Sequence, residues 1–382
     1  MAGGISWFWN ERFWLPANVT WADLKNTDHA VYPKLEDFYA VLPLAVVLLG
    51  IRFVFERCIA TPIGHLLGVK SRKHHAAAPN TILEKVFRSV SKRPEQKRLE
   101  GLAKQLDWSV RSVERWFRRR RNQDRPSILV KFTETSWRCV FYTCAFTYGV
   151  ISVPREPWFW DMRLCWHQFP FHAVTPAIYN YYIMEMSFYL SLVLSLFTDV
   201  RRKDFIPQSI HHFTTLLLIS FSWTCNFTRI GCIVMVTHDV ADIFLECAKM
   251  CNYAKLHTPA NAMFGIFTVA FFVSRIIFLP FWVIYSSTVH CMSIMGPFPA
   301  YYLFNGLLVT LLGLHCYWFY LIVSMAYKAL WHGKLEKDAR SDVDESMSDS
   351  DALQEENGIN NHNTKYTHNA YSSSKAAANN HH

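Results

Sequence analysis

The chain has 382 residues, of which 51% are hydrophobic and 16% are aromatic, and its formal net charge is +9. The hydrophobic residues are concentrated in long runs, which excludes an intrinsically disordered chain and an ordinary soluble globular domain. Its ten cysteines are scattered without the paired spacing of a zinc site.

Seven hydrophobic runs approach the ~20 residues that a helix needs to cross a bilayer. They predict an all-α, polytopic membrane protein with about seven transmembrane helices and with its termini on opposite sides. Residues 1–10 are aromatic and neutral, so no cleavable signal peptide is expected. The predicted spans are 38–55, 134–153, 178–198, 206–224, 229–250, 262–286 and 301–327.

Charge and a glycosylation sequon predict the orientation. Residues 57–131 hold 19 Lys and Arg against 6 Asp and Glu, whereas 287–299 holds no Lys or Arg. Because positive loops stay in the cytosol, the N-terminal segment 1–37 is expected to be lumenal. The sequon at Asn18 lies in that segment, so we expect Asn18 to be glycosylated. A second sequon at Asn226 lies so near the membrane that we expect it to be unmodified.

The segment after the first span resembles a truncated homeodomain over residues 67–128, with Trp116 and Phe117 in its third helix. Arg119 occupies the place of the Asn that reads adenine, and a membrane span replaces the basic arm. We therefore predict a small helical domain with Trp116 and Phe117 in its core, with arginines toward solvent or anionic lipid, and without specific nucleic acid binding. The alternative is a membrane-tethered DNA-binding regulator.

Ionisable residues cluster in the fourth and fifth spans. An ionisable side chain at mid-bilayer costs about 2.5–3.5 kcal/mol on insertion scales, so such a cluster predicts a functional site. In the fifth span, a spacing of four residues places His238, Asp242 and Glu246 on one helix face. Lys249 follows three residues after Glu246. The cluster comprises His211, His212, His238, Asp239, Asp242 and Glu246.

A histidine pair with carboxylates suits acyl transfer. An imidazole can deprotonate an attacking amine or carry the acyl group, and a carboxylate can fix its tautomer. A metal site is the rival chemistry, but His211 and His212 point about 100° apart on a helix and cannot easily chelate one ion. We therefore expect no metal. A buried network in which His and Asp satisfy one another without catalysis is the remaining alternative.

Arg201, Arg202 and Lys203 form a short basic loop directly before the histidines. Such a loop can serve as a topology anchor, or it can bind the phosphates of an anionic cosubstrate that arrives from the cytosol. The two roles are compatible.

Residues 333–382 are polar and lack periodicity, which predicts a disordered cytosolic tail. Ser346, Ser348 and Ser350 have acidic neighbours and are candidate kinase targets. The alternative is a solvating tail without regulation.

Residues 199–255 resemble the signature region of the ceramide synthases, and 131–332 looks like the TLC-type membrane domain of that family. The resemblance rests on DVRRKDF, HHF, NFTRIGCIV and HDVADIFLECAKMCNYAK. The homeodomain-like insert is a second family feature. The opening WFWNERFWLP and NVTWADLK resemble the animal ceramide synthases numbered five and six.

The resemblance implies an endoplasmic reticulum enzyme that transfers a fatty acyl chain from acyl-CoA to a sphingoid base, sphinganine or sphingosine. It implies that His211, His212, His238, Asp239 and Asp242 carry the reaction, with acyl-CoA as cosubstrate and no cofactor. It also implies that a lumenal loop near 286–296 influences acyl length. A homo- or heterodimer stays open, and a non-catalytic lipid-binding or transport protein is the alternative function.

Overall fold

A computed structural model describes residues 10–28, 30–69, 71, 76–124, 126–200, 202 and 204–332. Throughout these ranges, all regular secondary structure is helical. They fall into two compact units. One comprises the described residues up to 200 together with 206–320, and the other comprises Arg202, Asp204, Phe205 and residues 321–332.

The first predicted span is helical and contains helix α1, Phe38–Phe55. It continues through a π-helical turn, Glu56–Ala60, into helix α2, Thr61–Leu66. In the described residues before α1 there are three short helical segments, Glu11–Trp14, Trp21–Leu24 and Leu35–Asp37.

The insert folds into helices α3, Thr81–Ser89; α4, Gln96–Leu106; and α5, Val110–Gln123. Side chains of Asn80 and Ser109 accept hydrogen bonds from the first turns of α3 and α5, as helix N-caps do. Trp116 and Phe117 are 4% and 1% exposed, so the prediction that they belong to a core is confirmed.

An ion pair fastens α5 to α3 in this insert. Arg120 donates to both oxygens of Glu84, and its guanidinium also lies 4.8 Å from the ring centre of Phe87. Hydrogen bonds from Arg120 and Arg88 lower the pKa of Glu84 to about 2. Arg120 therefore stabilises the packing of α5 against α3 in the insert.

The remaining predicted spans are also helical. Three helical stretches of the described chain are long and apolar enough to cross a membrane: Leu35–Leu66, His257–Met295 and Pro299–Lys328. The other four predicted spans are helices of 20–26 residues that carry more polar side chains. These helices are α6, Ile128–Ser152; α7, Pro176–Ser195; α8, Phe205–Thr224; α9, Thr228–Tyr253; α10, His257–Phe271; and α11, Pro299–His332. Between α6 and α7 lie three short helical segments, Val153–Arg155, Pro157–Trp160 and Met162–Cys165.

The expected lumenal loop near 286–296 is wrong, because helical structure continues from α10 to Met295. The continuation consists of π-helical Phe272–Ile284 and Ser286–His290 followed by α-helical Cys291–Met295. Pro280 lies inside it and has no backbone N–H to give an α-helical ladder. The helix ends at Gly296, whose φ of 74° suits a residue without a Cβ.

The N-terminal segment forms part of the core. Trp14 is fully buried, with its ring centre 4.9 Å from that of Phe221 in α8. Asp37 accepts hydrogen bonds from Trp223, at the C-terminal end of α8, and from Tyr179, near the N-terminal end of α7. The segment before α1 is thereby attached to the helices that carry the predicted site.

A buried charge network attaches α1 to the same helices. Arg52 of α1 donates to both oxygens of Asp199 and to Ser195 of α7. Arg138 of α6 also donates to Asp199, at 2.9 Å. Because these charged groups are largely buried, they fix the packing of α1 against α6 and α7.

Candidate active site

The histidine pair lies one to two turns into α8. His211 and His212 are each 8% exposed, and their ring centres are 5.6 Å apart. The side-chain amide of Gln208, one turn earlier, lies 3.0 Å from Nε2 of His212. Nδ1 of His211 is buried and meets no hydrogen-bond partner in the described part of the chain. His212 is thus held by its own helix through Nε2, and its Nδ1, like that of His211, has no hydrogen-bond partner among the described residues.

His238 on α9 has a defined tautomer. Its Nδ1 lies 2.6 Å from the backbone oxygen of Val234, one turn earlier. Because a carbonyl oxygen can only accept, Nδ1 must carry the proton, and Nε2 of the neutral ring is left with a free lone pair. That Nε2 is buried, and no described residue gives it a hydrogen bond. His238 is therefore prepared to accept a proton or a donor group.

Asp242 is paired with Arg275 of the π-helical segment. Nη2 of Arg275 donates to Oδ2 of Asp242 at 2.7 Å and to the backbone oxygen of His238 at 2.8 Å. Within the described residues, no hydrogen bond joins Asp242 to the Nδ1 of His211. The carboxylate of Asp242 therefore forms an ion pair with Arg275, and this ion pair joins α9 to the π-helical segment.

The other acidic residues of the cluster lie beside different ionisable groups. Asp239 is 1% exposed and its carboxyl lies beside that of Glu185, which is fully buried on α7. Glu246 forms an ion pair with Lys249, three residues along the same helix, with 2.6 Å between Nζ of Lys249 and Oε1 of Glu246. The polar face predicted for α9 is therefore present, and each carboxylate on it faces a different neighbour.

Three ionisable residues of this region were missed from the sequence. His315 on α11 is fully buried, with its ring centre 4.9 Å from that of His238 and 6.1 Å from that of His211. Arg275 and Glu185 are the other two. All three lie inside predicted spans, but each is the only His, Asp, Glu, Lys or Arg residue of its span, so the clustering that selected His211 did not select them.

An apolar cavity begins at the histidines. His211 and His238 line it together with aromatic and aliphatic side chains of α7, α8, α9 and α11. The space free of protein atoms is about 770 Å³, part of it open to the outside. Ser287 and Cys291, from the helical continuation of α10, also line it. A long apolar chain in this cavity would have a reactive end group beside His211 and His238.

The structure places the other predicted residues as follows. Arg201, Lys203, Ser346, Ser348 and Ser350 lie outside the described residues, and Arg202 is half-buried in the second unit. Asn18 is exposed with a φ of 68°. Asn226 is 1% exposed, and its amide donates to the backbone oxygens of Pro170 and His172 at 2.7 Å each. Across the described ranges, no group of three or more His, Cys, Asp or Glu side chains is arranged to hold a metal ion.

Comparison with known proteins identifies the family of this chain. The family model of the TLC domain matches residues 131–324, and the homeodomain model matches residues 69–126. The chain is 48% identical to human ceramide synthase 5 over 346 residues, 90% of this chain and 88% of that protein. It is 44% identical to human ceramide synthase 4, over 91% of this chain and 88% of that protein. The chain belongs to the ceramide synthase family.

A more distant member is Caenorhabditis elegans ceramide synthase hyl-1, which is 32% identical over 350 residues, 88% of this chain and 84% of that protein. The two family models together cover the insert and the helices that line the histidine cavity. The chain is therefore a multi-pass, all-α membrane protein of this acyltransferase family.

Proposed function

We propose that this ceramide synthase family member transfers a fatty acyl chain from acyl-CoA to the amine of a sphingoid base. The observation that carries the proposal is the placement of His211 and His238 in the wall of an apolar cavity. Sphinganine would give dihydroceramide, and sphingosine would give ceramide. The names of the relatives support this reaction, and no cofactor is needed for it.

The first half-reaction is assigned to His211. A ring nitrogen of His211 attacks the thioester carbon, the C–S bond breaks, and the sulfur leaves with the electron pair. The proton of the ring passes to the departing thiolate, which gives free CoA and a neutral acyl-imidazole. A thioester is activated enough for this attack, and a cavity that is poor in water protects the intermediate from hydrolysis.

In the second half-reaction, the amine attacks the acyl carbon of the acyl-imidazole. The bond between that carbon and the His211 nitrogen breaks, and the imidazole regains a proton as the amide leaves. In the competing route, His211 removes the amine proton while thioester and amine are bound together, and no covalent adduct forms. The two routes differ in whether acyl-CoA alone modifies the protein.

The cavity provides a rule for acyl length. Ser287 and Cys291 line it on the helical continuation of α10, and Trp166 lines it from the segment before α7. An acyl chain held at His211 would extend along these side chains. Acyl-length preference would then depend on this helical wall in place of the loop expected from the sequence.

The phosphates of CoA would bind at the basic loop of Arg201, Arg202 and Lys203, through charge-assisted hydrogen bonds. We place the enzyme in the endoplasmic reticulum membrane, with the segment before α1 in the lumen and the insert in the cytosol. The charge asymmetry of the sequence supports this orientation.

The decisive experiment is an assay of the purified protein with sphinganine and a panel of acyl-CoAs, with products identified by mass spectrometry. Dihydroceramide is expected from the wild type and not from His211→Ala. His257→Ala is the matched control, because His257 is exposed at the start of α10. It should retain wild-type activity. Intact-protein mass spectrometry after acyl-CoA alone should show one acyl group on the wild type and none on His211→Ala.

The outcomes separate the alternatives. Saturable lipid binding without product would identify a non-catalytic lipid-binding protein. Product that needs His211 but forms without an adduct would favour the general-base route. Normal turnover by His211→Ala would refute the assignment of the site. Tight, sequence-specific DNA binding by the full chain would support the tethered regulator.

A further inference from the structure

His315 is a fourth buried imidazole at this site, beside His211, His212 and His238. It lies on α11, it is fully buried, and neither of its ring nitrogens has a hydrogen-bond partner in the described part of the chain. Its ring centre is 4.9 Å from that of His238 and 5.8 Å from that of Phe271. A buried polar ring without a partner is costly, so a group that hydrogen-bonds to it upon binding is favoured.

The carboxylates of the cluster are poorly placed to act as the base in the second half-reaction. Asp242 is paired with Arg275 at 2.7 Å, and the carboxyl of Asp239 lies beside that of Glu185. Nε2 of His238, by contrast, is buried with a free lone pair, and the ring of His315 lies next to it. Among the described residues, His238 lines the cavity whereas Asp239, Asp242 and Glu185 do not. Nε2 of His238, with the ring of His315 beside it, is therefore the proton acceptor at this end of the cavity.

A primary ammonium group fits these acceptors. It has three N–H donors, and the neutral rings of His238 and His315 each have one nitrogen with a lone pair to accept them. Its carbon chain would share the apolar environment of the cavity that His238 lines. Carboxylates and phosphates fit less well, because they bring acceptors only and would leave the lone pair of His238 Nε2 unpaired.

We propose that His315, together with His238, receives the ammonium group of the sphingoid base and takes its proton. This inference rests on the proposed acyl transfer. The ammonium group gives one proton to the imidazole pair and becomes a neutral amine. Its lone pair forms the C–N bond, the bond from the acyl carbon to His211 breaks, and the second amine proton passes to His211. The proton on the pair is released to water when the amide leaves.

The test compares three products of the full-length protein. The first is the acyl adduct after palmitoyl-CoA alone, the second is dihydroceramide from sphinganine, and the third is the hydroxamate from hydroxylamine. Hydroxylamine is mostly neutral at pH 7, so it needs no base to release its lone pair. The variants are His315→Phe and His315→Gln, and the control is Cys316→Ala, which changes an exposed neighbour on the same helix. A reaction without enzyme gives the background.

Both His315 variants should form dihydroceramide about 100-fold more slowly or worse, which is the lower range for loss of a general base. They should still form the adduct and the hydroxamate at rates near those of the wild type, and Cys316→Ala should be unchanged in all three. His315→Gln keeps a polar side chain, so it provides the same comparison if His315→Phe fails to fold.

Two results would overturn the inference. One is dihydroceramide formation near the wild-type rate by both variants. The other is a loss of adduct, hydroxamate and dihydroceramide together, since this is the pattern of a purely structural residue. If the wild type makes dihydroceramide without a detectable adduct, the rates of hydroxamate and dihydroceramide formation in the His315 variants still test the role of His315. A wild type that makes no dihydroceramide refutes the proposed function itself, and the inference with it.

Discussion

At the scale of single residues, one close contact in the cavity wall is open to direct test. Gly231 of α9 faces Tyr182 of α7, whose hydroxyl lies 3.1 Å from that of Ser222 in α8. A Cβ at position 231 would overlap the hydroxyl of Tyr182. Because Tyr182 is fully buried and lines the cavity, the ring could yield only by disturbing the cavity.

Gly231→Ala should therefore lower the free energy of unfolding by about 1–3 kcal/mol, the usual cost of overpacking a core. It should also slow turnover of long-chain acyl-CoA. Thermal unfolding in detergent and the acyl-CoA assay measure the two effects. Gly265→Ala is the matched control, since a Cβ there meets no atom within 4 Å. Equal stability of the two variants would contradict the prediction.

Some residues of the site could be predicted from the sequence, and others could not. His211, His212 and His238 were predicted because ionisable groups within two consecutive spans are conspicuous in an apolar run. His315, Arg275 and Glu185 stand alone in their own spans, and only the tertiary fold brings them to the cluster. For the same reason, the Arg275 partner of Asp242 could not be predicted from helix periodicity.

At the scale of helices, α1 depends on one buried charge. Arg52→Met would remove the guanidinium that donates to both oxygens of Asp199. Breaking a buried ion pair costs about 3–5 kcal/mol, because the remaining charge loses its partner. Here Arg138 still pairs with Asp199, so we expect the lower end of that range.

Thermal unfolding of the full chain measures this effect, with Arg57→Met as the control. Arg57 is exposed on the π-helical turn that follows α1, so its loss should change stability little. The same thermal midpoint for both variants would show that the buried network does not hold α1.

The helices of the insert give a second prediction at this scale. Trp116→Ala should lower the stability of the insert by about 3–5 kcal/mol, as expected for a large-to-small change in a core. The side chain is 4% exposed, and its Nε1 donates to the backbone oxygen of Ala78 at 2.6 Å. Hydrogen–deuterium exchange of residues 80–124 in the full-length protein reports the change. Trp108→Ala is the control, because Trp108 is 37% exposed.

If Trp108→Ala loosened exchange as much as Trp116→Ala, the core role of Trp116 would be refuted. Arg119 is exposed on α5, so Arg119→Ala should leave acyl transfer almost unchanged.

The helix boundaries show which sequence signals were sufficient. Each predicted span is helical over nearly all of its length, and the helix that starts with α1 continues through α2 beyond the expected end at residue 55. The continuation of α10 was missed because Ser287 and Thr288 make the run appear to end. Their hydroxyls bond to Asn305 and to the backbone oxygen of Ile284, at 2.7 Å each. Polar residues satisfied in this way continue a helix, and hydropathy alone reads them as a loop.

At the scale of the whole molecule, the two sequons test the orientation of the chain. Asn18 is exposed in the segment before α1, whereas Asn226 is buried with its amide bonded to two backbone oxygens. Both precede a Thr at the required spacing. Only Asn18 can therefore accept a glycan without disturbing the fold, and only if its side of the membrane is the lumen.

Endoglycosidase treatment should shift the gel mobility of the wild type and of Asn226→Gln, and it should leave Asn18→Gln unchanged. Asn226→Gln should also be less stable, because a longer amide cannot bond to Pro170 and His172 in the same geometry. In sealed microsomes, protease should cut within residues 57–131, since the positive-inside rule places them in the cytosol. A glycan that survives Asn18→Gln would contradict the buried placement of Asn226. Protection of residues 57–131 from the protease would reverse the orientation. The basic loop proposed to bind CoA would then face the lumen, where acyl-CoA from the cytosol could not reach it.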